Sequence, residues 1–471
     1  MVFSSTLFLF AFLPVFLAFY NATPNRWANV TALVASLIFY AWGEPVFVLF
    51  ALGSALLDLA VVRLLTTARR PGARRLLVAI GVTANLGLLA YFKYANFAAT
   101  SLQSLAKAWI GADLPLMTSI ALPIGVSFIV FEKITYIVDV YRGAGPPARS
   151  VHDYLLYVFL FPKLLAGPIL KYRDIASQLV ERSVRLDDVI QGLTRFAVGL
   201  AKKMLVADPM GELADAAFAS GDGLIGFRVA WLGAIAFGLQ IFFDFSGYSD
   251  MAIGLARMIG FRLLENFNRP YLAIGFGDFW RRWHISLSTW IRDYLYIPLG
   301  GDRVSKPRLY FNLWLCFLAS GLWHGAAWTF VLWGSYHGLF LTLDRMFIKQ
   351  WLVRLPRTVG IAYTFLAVTI GWVVFRAPDF HSALAYLGAM AKPWQASQRF
   401  VIITADIYFV MAVGLAICFL PALSRVDRLC HHVATRPTWT TWSTLAACGL
   451  LLLSIGKAMT VAFHPFLYFR F

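Results

Sequence analysis

Three of the eight histidines of this sequence lie between Phe279 and Leu343, as His284, His324 and His337. This stretch begins with a basic, tryptophan-rich segment and continues into an apolar run. An ionisable side chain inside an apolar run of hydrocarbon length is costly, so it is a functional candidate by default. Chemistry is therefore expected here first.

The apolar run from Tyr310 to Asp344 is predicted to enter a membrane and return as a helical hairpin. Lys and Arg flank it on both sides, and such residues favour the cytoplasmic face. Its midpoint falls near Ala327, beside GLWHGAAW. At about 1.5 Å per residue, each arm would reach roughly 21–27 Å into a hydrocarbon core about 30 Å thick. This places His324 deep in the membrane and His337 partway back along the second arm.

A deep neutral imidazole can remove a proton from a hydroxyl group, and a desolvated site keeps it neutral. The alternative is a histidine that is only hydrogen-bonded to a neighbouring helix. The residues alone leave both interpretations open. A metal site is disfavoured, since neither H-x-x-x-H nor H-E-x-x-H occurs.

His284 lies in RRWHISLSTWIRDYLYIPLGG. If this segment is helical, Trp280, His284 and Leu287 share one face. It is then either an interfacial anchor or a docking surface for a phosphate-bearing donor, with Arg281 and Arg282 as phosphate contacts. No P-loop or G-x-G-x-x-G supports a nucleotide-binding fold.

A second polar motif, FFDFSGYSD, supplies Asp244 and Ser246 as secondary candidates. It contains no G-x-S-x-G and no convincing Ser-His-Asp order. A polar helix junction is the alternative.

The elements that position these residues are predicted to be membrane helices. Of the 471 residues, 60% are hydrophobic and 14% are charged, whereas soluble domains average about 25% charged residues. The net charge of +17 is explained by basic cytoplasmic loops, without nucleic acid. The four cysteines have no metal-binding spacing and are interpreted as small buried hydrophobes. The fold class is all-α, polytopic and membrane-embedded.

About ten full spans are predicted, with both termini on the outer face and a re-entrant piece around FPKLLAGPI. Segments 98–118 and 211–223 are expected as outer loops, and 425–436 as a cytoplasmic loop. Glu132, Lys133 and Asp139 are expected to pair with each other or to line a cavity. Residues 1–471 form one domain in this interpretation, with 247–344 as its catalytic core. The spans lie near 4–20, 28–42, 45–65, 75–97, 119–141, 188–209, 224–246, 358–375, 401–422 and 441–463.

The runs RRWHISLSTWIRDYLYIPLGG and SGLWHGAAWTFVLWGSYHG resemble the membrane-bound O-acyltransferases. The bacterial branch that acetylates alginate and related exopolysaccharides is the most similar. FPKLLAGPI, FFDFSGYSDMAIG, NFNRPYLA and the C-terminal HPFLYFRF match in the same order, so the resemblance covers nearly the whole chain. One departure is Lys163 in FPKLLAGPI, where this branch has Gln.

The resemblance implies a ring of helices around a funnel or tunnel in the bacterial inner membrane. It implies acetyl transfer from cytoplasmic acetyl-CoA, a substrate rather than a bound cofactor, to an exopolysaccharide hydroxyl or a periplasmic partner acetyltransferase. His324 carries over as the catalytic base and His284 as a second catalytic residue that would stabilise the oxyanion. His337, Asp244 and Ser246 are secondary candidates. The expected substrate-binding residues are Trp323, Arg281, Arg282, Trp283, Asn268 and Tyr296.

Two other functions are compatible with part of this pattern. A related acyltransferase would take D-alanine from an acidic carrier protein, which a basic cytoplasmic face could dock. A non-enzymatic transporter of lipid-linked glycans would need inverted halves with broken helices at the midplane, and no such halves are visible.

Overall fold

The computed structural model describes residues 1–112, 119–219, 225–397, 401–435, 439–460 and 465–467. Helices and their connections account for the described residues, without strands. Six of these helices are long and apolar enough to cross a membrane, and the protein is a multi-pass membrane protein. They are Phe47–Thr67, Pro71–Ile110, Phe227–Met258, Arg357–Arg376, Ala405–Ala422 and Trp439–Thr460.

The chain divides into two compact units. The first comprises Met1–Gly192 and Leu255–Leu264, and the second comprises Leu193–Gly254 and Glu265–Phe471. The further helices up to Arg282 are Phe8–Phe12, Leu13–Ala22, Ala28–Ala41, Val126–Arg142, Val151–Phe159, Phe161–Leu164, Tyr172–Val180, Leu186–Ala201, Lys202–Ala207, Asp208–Phe218 and Phe276–Arg282. Those after Arg282 are Ile285–Ile291, Arg292–Tyr296, Lys306–His324, Trp328–Leu343, Asp344–Ile348, Lys349–Leu352, Phe380–Met390 and Ser424–Ala434; short 3-10 turns occur at Asn25–Trp27, Pro270–Leu272 and Leu420–Ala422.

In the first unit, aromatic side chains pack around the segment that was expected to be re-entrant. The helix Val151–Phe159 ends at Leu160, and the backbone after Leu164 is not helical until Tyr172. Phe161 is fully buried, and its ring packs edge-on against Phe16 at 5.1 Å. Irregular backbone at membrane depth is tolerated where protein surrounds it. The predicted break in this helix is confirmed, while its depth in a membrane stays a prediction.

The buried charges at positions 132, 133 and 139 of the first unit do not pair with one another. Each has its partner on another helix. Glu132 pairs with Lys163, and Lys133 lies 3.3 Å from Asp58. Asp58 also accepts hydrogen bonds from Asn85 and Tyr154, at 2.8 and 2.9 Å. Asp139 accepts from the backbone N–H of Arg173 at 3.3 Å. Buried charges need such partners, and Lys163 therefore has its counter-charge on the neighbouring helix.

Three predicted loops are more helical than expected. The helix ending in the 98–118 segment continues to Ile110, and Asp208–Phe218 is helical within the expected outer loop at 211–223. The expected cytoplasmic loop contains the helix Ser424–Ala434. Alanine and leucine favour helix over loop wherever the turn residues are few. Most of the remaining residues of these loops, and most of the HPFLYFRF motif, lie outside the described residues.

The second unit has an aromatic core. It is built from the helices Phe227–Met258, Phe276–Arg282, Trp328–Leu343 and Arg357–Arg376. Trp283 and Trp372 lie 4.9 Å apart between ring centroids, and Trp333 stacks on Trp372 at 6.0 Å. Two cysteines, Cys316 and Cys418, are buried as expected, whereas Cys430 and Cys448 are exposed.

Candidate active site

His324 is the last residue of the first arm of a helical hairpin, which confirms the predicted turn. The arms are Lys306–His324 and Trp328–Leu343, hereafter the histidine hairpin. Pro307 is the second residue of the first arm, and its fixed φ suits a helix start. Residues 325–327 connect the arms, next to the predicted midpoint.

Glycine lets the two arms approach closely. A Cβ on Gly321 would overlap the carbonyl oxygen of Phe330 and lie 3.2 Å from the Cα of Gly334. A Cβ on Gly334 would in turn overlap the carbonyl oxygen of Phe317. The arms therefore cross through backbone contacts, which hold the end of the first arm, and with it His324, against the second.

The His324 side chain is 5% exposed and enclosed by aromatic rings. Its ring meets Trp333 edge-on at 5.1 Å and Phe375 at 5.5 Å. Rigid aromatic walls restrict the orientation of an imidazole and exclude water. Both effects suit a proton-transfer residue.

His284 does not continue a helix, contrary to the shared face considered above. The helix Phe276–Arg282 ends two residues before His284, and the helix Ile285–Ile291 begins directly after His284. His284 adopts φ 44° and ψ 54°, a left-handed conformation that non-glycine residues rarely take. Such strain costs about 1–3 kcal/mol and persists only where surrounding contacts enforce it.

Asn266 supplies the contacts that enforce this conformation. Its backbone carbonyl accepts from the N–H of Ile285 at 2.9 Å. Its side-chain Oδ1 accepts from the backbone N–H of Ser286 at 3.1 Å and from the Ser286 hydroxyl at 2.8 Å. The same Oδ1 lies 3.2 Å from Nδ1 of His284. Asn266, which is 1% exposed, thus ties down the residues around His284.

His284 and His324 come together as a buried pair. Their ring centroids are 6.4 Å apart, and the Trp323 ring lies within 6 Å of both. Phe245 closes the other side of His284, edge-on at 4.6 Å. His284 is fully buried, and burial lowers its pKa to about 3. It is therefore neutral at neutral pH and offers a ring nitrogen lone pair.

Sequence comparisons connect this chain to a family. Residues 148–376 match the family model described as MBOAT, membrane-bound O-acyltransferase family. The chain is 42% identical over 494 aligned residues to the "Probable alginate O-acetylase" of Pseudomonas putida, with 100% of both chains covered. This chain belongs to the membrane-bound O-acyltransferase family. It is a membrane-bound acyltransferase of the alginate O-acetylase branch.

Two more distant relatives show the range of the family. The "Peptidoglycan O-acetyltransferase" of Helicobacter pylori is 34% identical over 425 residues, covering 83% of this chain and 80% of that protein. The "Teichoic acid D-alanyltransferase" of Bacillus subtilis is 26% identical over 277 residues, covering 55% of this chain and 69% of that protein.

The third candidate histidine of this acyltransferase, His337, is separated from the pair by the ring of Trp333. Trp333 contacts both His324 and His337, the latter at 4.6 Å. The indole N–H of Trp280 donates to Nδ1 of His337 at 3.2 Å. These contacts describe a histidine packed into the aromatic core beside the pair.

The other expected substrate-binding residues differ in accessibility. Arg281 and Arg282 both pair with Asp278, at 3.3 and 3.0 Å, and Arg281 is 66% exposed. Asn268 is exposed, and its backbone N–H donates to the Arg282 carbonyl at 2.9 Å. Trp283 is instead buried against Phe279 and Trp372, and Trp323 is buried beside the histidine pair. The Tyr296 hydroxyl donates to Asp302 at 2.8 Å.

Asp244 holds the described end of the chain instead of pointing at the histidines. Lys203 lies 3.0 Å from Asp244, which also accepts from the backbone N–H of Leu467 at 2.7 Å. Ser246 is buried two residues further on. Between them, Phe245 projects onto His284. The motif therefore supplies a wall of the site through Phe245, an apolar residue that the polar pattern of the motif does not indicate.

An open, apolar cavity of about 140 Å³ leads along the histidine hairpin. Ser320, which lines it, lies one helical turn before His324. It is also lined by Arg292 and Tyr296, the former 58% exposed. The sequence could not have identified this cavity, because three separate segments form it. Its lining also includes Trp280, Leu287, Ile291, Leu313 and Phe317.

Proposed function

We propose that this protein transfers an acetyl group from cytoplasmic acetyl-CoA to a hydroxyl of an exopolysaccharide, or to a periplasmic partner acetyltransferase. The observation that carries the proposal is the buried pair of imidazoles, His284 and His324, at 6.4 Å. The relatives named as O-acetylases and O-acetyltransferases support the acetyl group and the glycan acceptor.

The chemistry needs one imidazole as a proton acceptor. The O–H bond of the acceptor breaks as its oxygen bonds to the thioester carbonyl carbon, and the proton passes to a ring nitrogen. The C–S bond then breaks, and CoA leaves as a thiol after taking up that proton. A buried neutral imidazole is suited to this general-base role. A donor near the carbonyl oxygen stabilises the charge that develops there.

The cavity beside Ser320 is the proposed path of the thioester arm. Its apolar walls suit an acyl–pantetheine chain, and the exposed Arg292 in its lining suits the phosphates of CoA. In this proposal, about ten spans form a ring around a central tunnel in the bacterial inner membrane, with both termini periplasmic. The donor then approaches from the cytoplasm, and the acceptor from the periplasm.

A D-alanyl donor is the second candidate. The Bacillus subtilis relative supports it by name, and the net charge of +17 suits an acidic carrier protein. Its lower identity, 26% against 42%, makes acetyl-CoA the leading donor.

The test is transfer of radiolabel from acetyl-CoA by purified protein, with exopolysaccharide and the periplasmic acetyltransferase of the same cells as acceptors. His324→Ala should abolish transfer, while His381→Ala, at an exposed position, should not affect it. Ser320→Phe should raise KM for acetyl-CoA, whereas Ser335→Phe, outside the cavity lining, should leave KM unchanged. No thioester consumption with either acceptor, together with unchanged polysaccharide acetylation in a His324→Ala strain, would overturn the proposal.

A further inference from the structure

The side-chain oxygen of Asn266 can be assigned without ambiguity. A backbone N–H can only donate, so the amide atom 3.1 Å from the Ser286 nitrogen is the oxygen. The other amide atom, Nδ2, is placed to donate to the Ser249 hydroxyl at 3.3 Å. Asn266 therefore presents an acceptor, not a donor, to the His284 ring.

This acceptor selects one tautomer of His284. Nδ1 lies 3.2 Å from the Asn266 oxygen, and two facing lone pairs at that distance would repel each other. The Ser286 hydroxyl also lies 3.4 Å from Nδ1, but it is closer to the Asn266 oxygen, at 2.8 Å, and donates its hydrogen there. Nδ1 therefore carries the ring hydrogen, and in a neutral ring Nε2 then carries the lone pair. Nε2 is buried, and the described residues offer it no hydrogen-bond partner. The ring thus holds an unused acceptor beside His324.

We infer that Asn266 is a positioning residue that fixes His284 as the proton acceptor of the transfer reaction. The inference rests on the acyl transfer proposed above. A neutral ring with its hydrogen on Nδ1 cannot donate from Nε2 to an oxyanion. His284 instead accepts the hydrogen bond of the acceptor hydroxyl and takes its proton as the new C–O bond forms. This reverses the division of roles that the family resemblance implies, and it leaves the thioester carbonyl oxygen to the second ring of the pair.

The tautomer can be measured without any substrate. In protein labelled with ¹⁵N-histidine, the signals that vanish in His284→Gln belong to this ring. In the wild-type protein they should show a protonated Nδ1 and a bare Nε2, and Asn266→Leu should remove that preference. A protonated Nε2 in the wild-type ring would overturn the inference even if acetyl transfer is intact.

The activity of Asn266 variants separates an acceptor role from a donor role. Asn266→Leu should lower kcat by roughly 10- to 100-fold, as the loss of an outer hydrogen-bond partner does elsewhere. Asn266→Asp should retain most of the activity, because a carboxylate still accepts from Nδ1–H. If His284 worked as a donor from Nε2, the same carboxylate would enforce the wrong tautomer, and Asn266→Asp would be at least as impaired as Asn266→Leu.

A control variant tests the side-chain oxygen of Asn266 separately from its amide nitrogen. Ser249→Ala removes only the partner of Asn266 Nδ2, so it should keep both the tautomer and the activity of the wild type. Loss of transfer in Ser249→Ala as severe as in Asn266→Leu would contradict a specific role for the oxygen. The wild-type transfer assay tests the proposed function, whereas the NMR signals test the tautomer, so the two failures are distinguishable.

Discussion

Removing Lys163 should destabilise the protein far more than removing an exposed partner of a salt bridge. The Lys163 and Glu132 side chains are 0% and 2% exposed and pair directly. Without Lys163, the only hydrogen bond that the described residues still donate to this carboxylate is a long one of 3.5 Å from the backbone N–H of Leu170. Leaving one charge of a buried pair uncompensated costs about 3–5 kcal/mol. Lys163→Met should therefore lower the free energy of unfolding by about that amount.

The matched control is Arg345→Met. Arg345 pairs with Asp302, but these side chains are 42% and 61% exposed. Exposed pairs contribute roughly 0–1 kcal/mol, so this variant should unfold nearly as the wild type does. Both variants remove one cation and add one methionine, and they differ mainly in the burial of the charge left behind.

The assay is denaturant unfolding in mixed micelles, followed by tryptophan fluorescence. A double variant, Glu132→Gln with Lys163→Met, should recover much of the loss, because an amide is cheaper to bury than a carboxylate. The reasoning is refuted if Lys163→Met is no less stable than Arg345→Met. It is also refuted if the double variant is less stable than Lys163→Met alone.

Two further predictions concern the site. Gly321→Ala should separate the arms of the histidine hairpin, because the new Cβ meets backbone atoms; stability should fall by about 1–3 kcal/mol and acetyl transfer should decrease. Gly388→Ala is the control: its Cβ meets nothing within 4 Å, so stability and transfer should stay unchanged. Equal losses in the two variants would argue against the hairpin crossing. Burial lowers the pKa of His284 from 6.5 to about 3, so the unfolded chain binds more protons between these values and stability falls as pH falls. His284→Gln should reduce the loss of stability on going to pH 5 by about 2 kcal/mol. The measurement is the free energy of unfolding at pH 5.0 and 7.5, with His381→Gln as the control. Parallel pH profiles for wild type and His284→Gln would contradict a neutral buried ring.

The histidine hairpin could be predicted because its information is local. Basic residues flank one apolar run, and the run is long enough for two arms, with Gly321 and Gly325 close to its midpoint. The charge pattern predicts that both ends of the run lie on the same face of the membrane, and the length of the run predicts a turn near its midpoint. The observed helix ends at His324 and restarts at Trp328, next to the predicted midpoint.

The surroundings of His284 could not be predicted in the same way. Helical periodicity put Trp280 and His284 on one face, yet the helix stops between them. The cause is Asn266, eighteen residues away, whose hydrogen bonds impose a left-handed backbone. The motif NFNRPYLA did indicate a binding asparagine in this region, but it contains two asparagines. The expected one, Asn268, is exposed, whereas Asn266 is buried against the histidine.

The Asn266 hydrogen bonds are sufficient to maintain the strained conformation of His284 without a bound substrate. The left-handed backbone costs about 1–3 kcal/mol. Three bonds to Ser286 and Ile285 contribute roughly 0.5–1.5 kcal/mol each, which is comparable to that cost or larger. The imidazole is then held in position before either substrate arrives, and binding energy need not be used to form it. In the reaction proposed above, the donor and the acceptor reach the proton acceptor by separate routes, and preorganisation of this kind is what such a reaction requires.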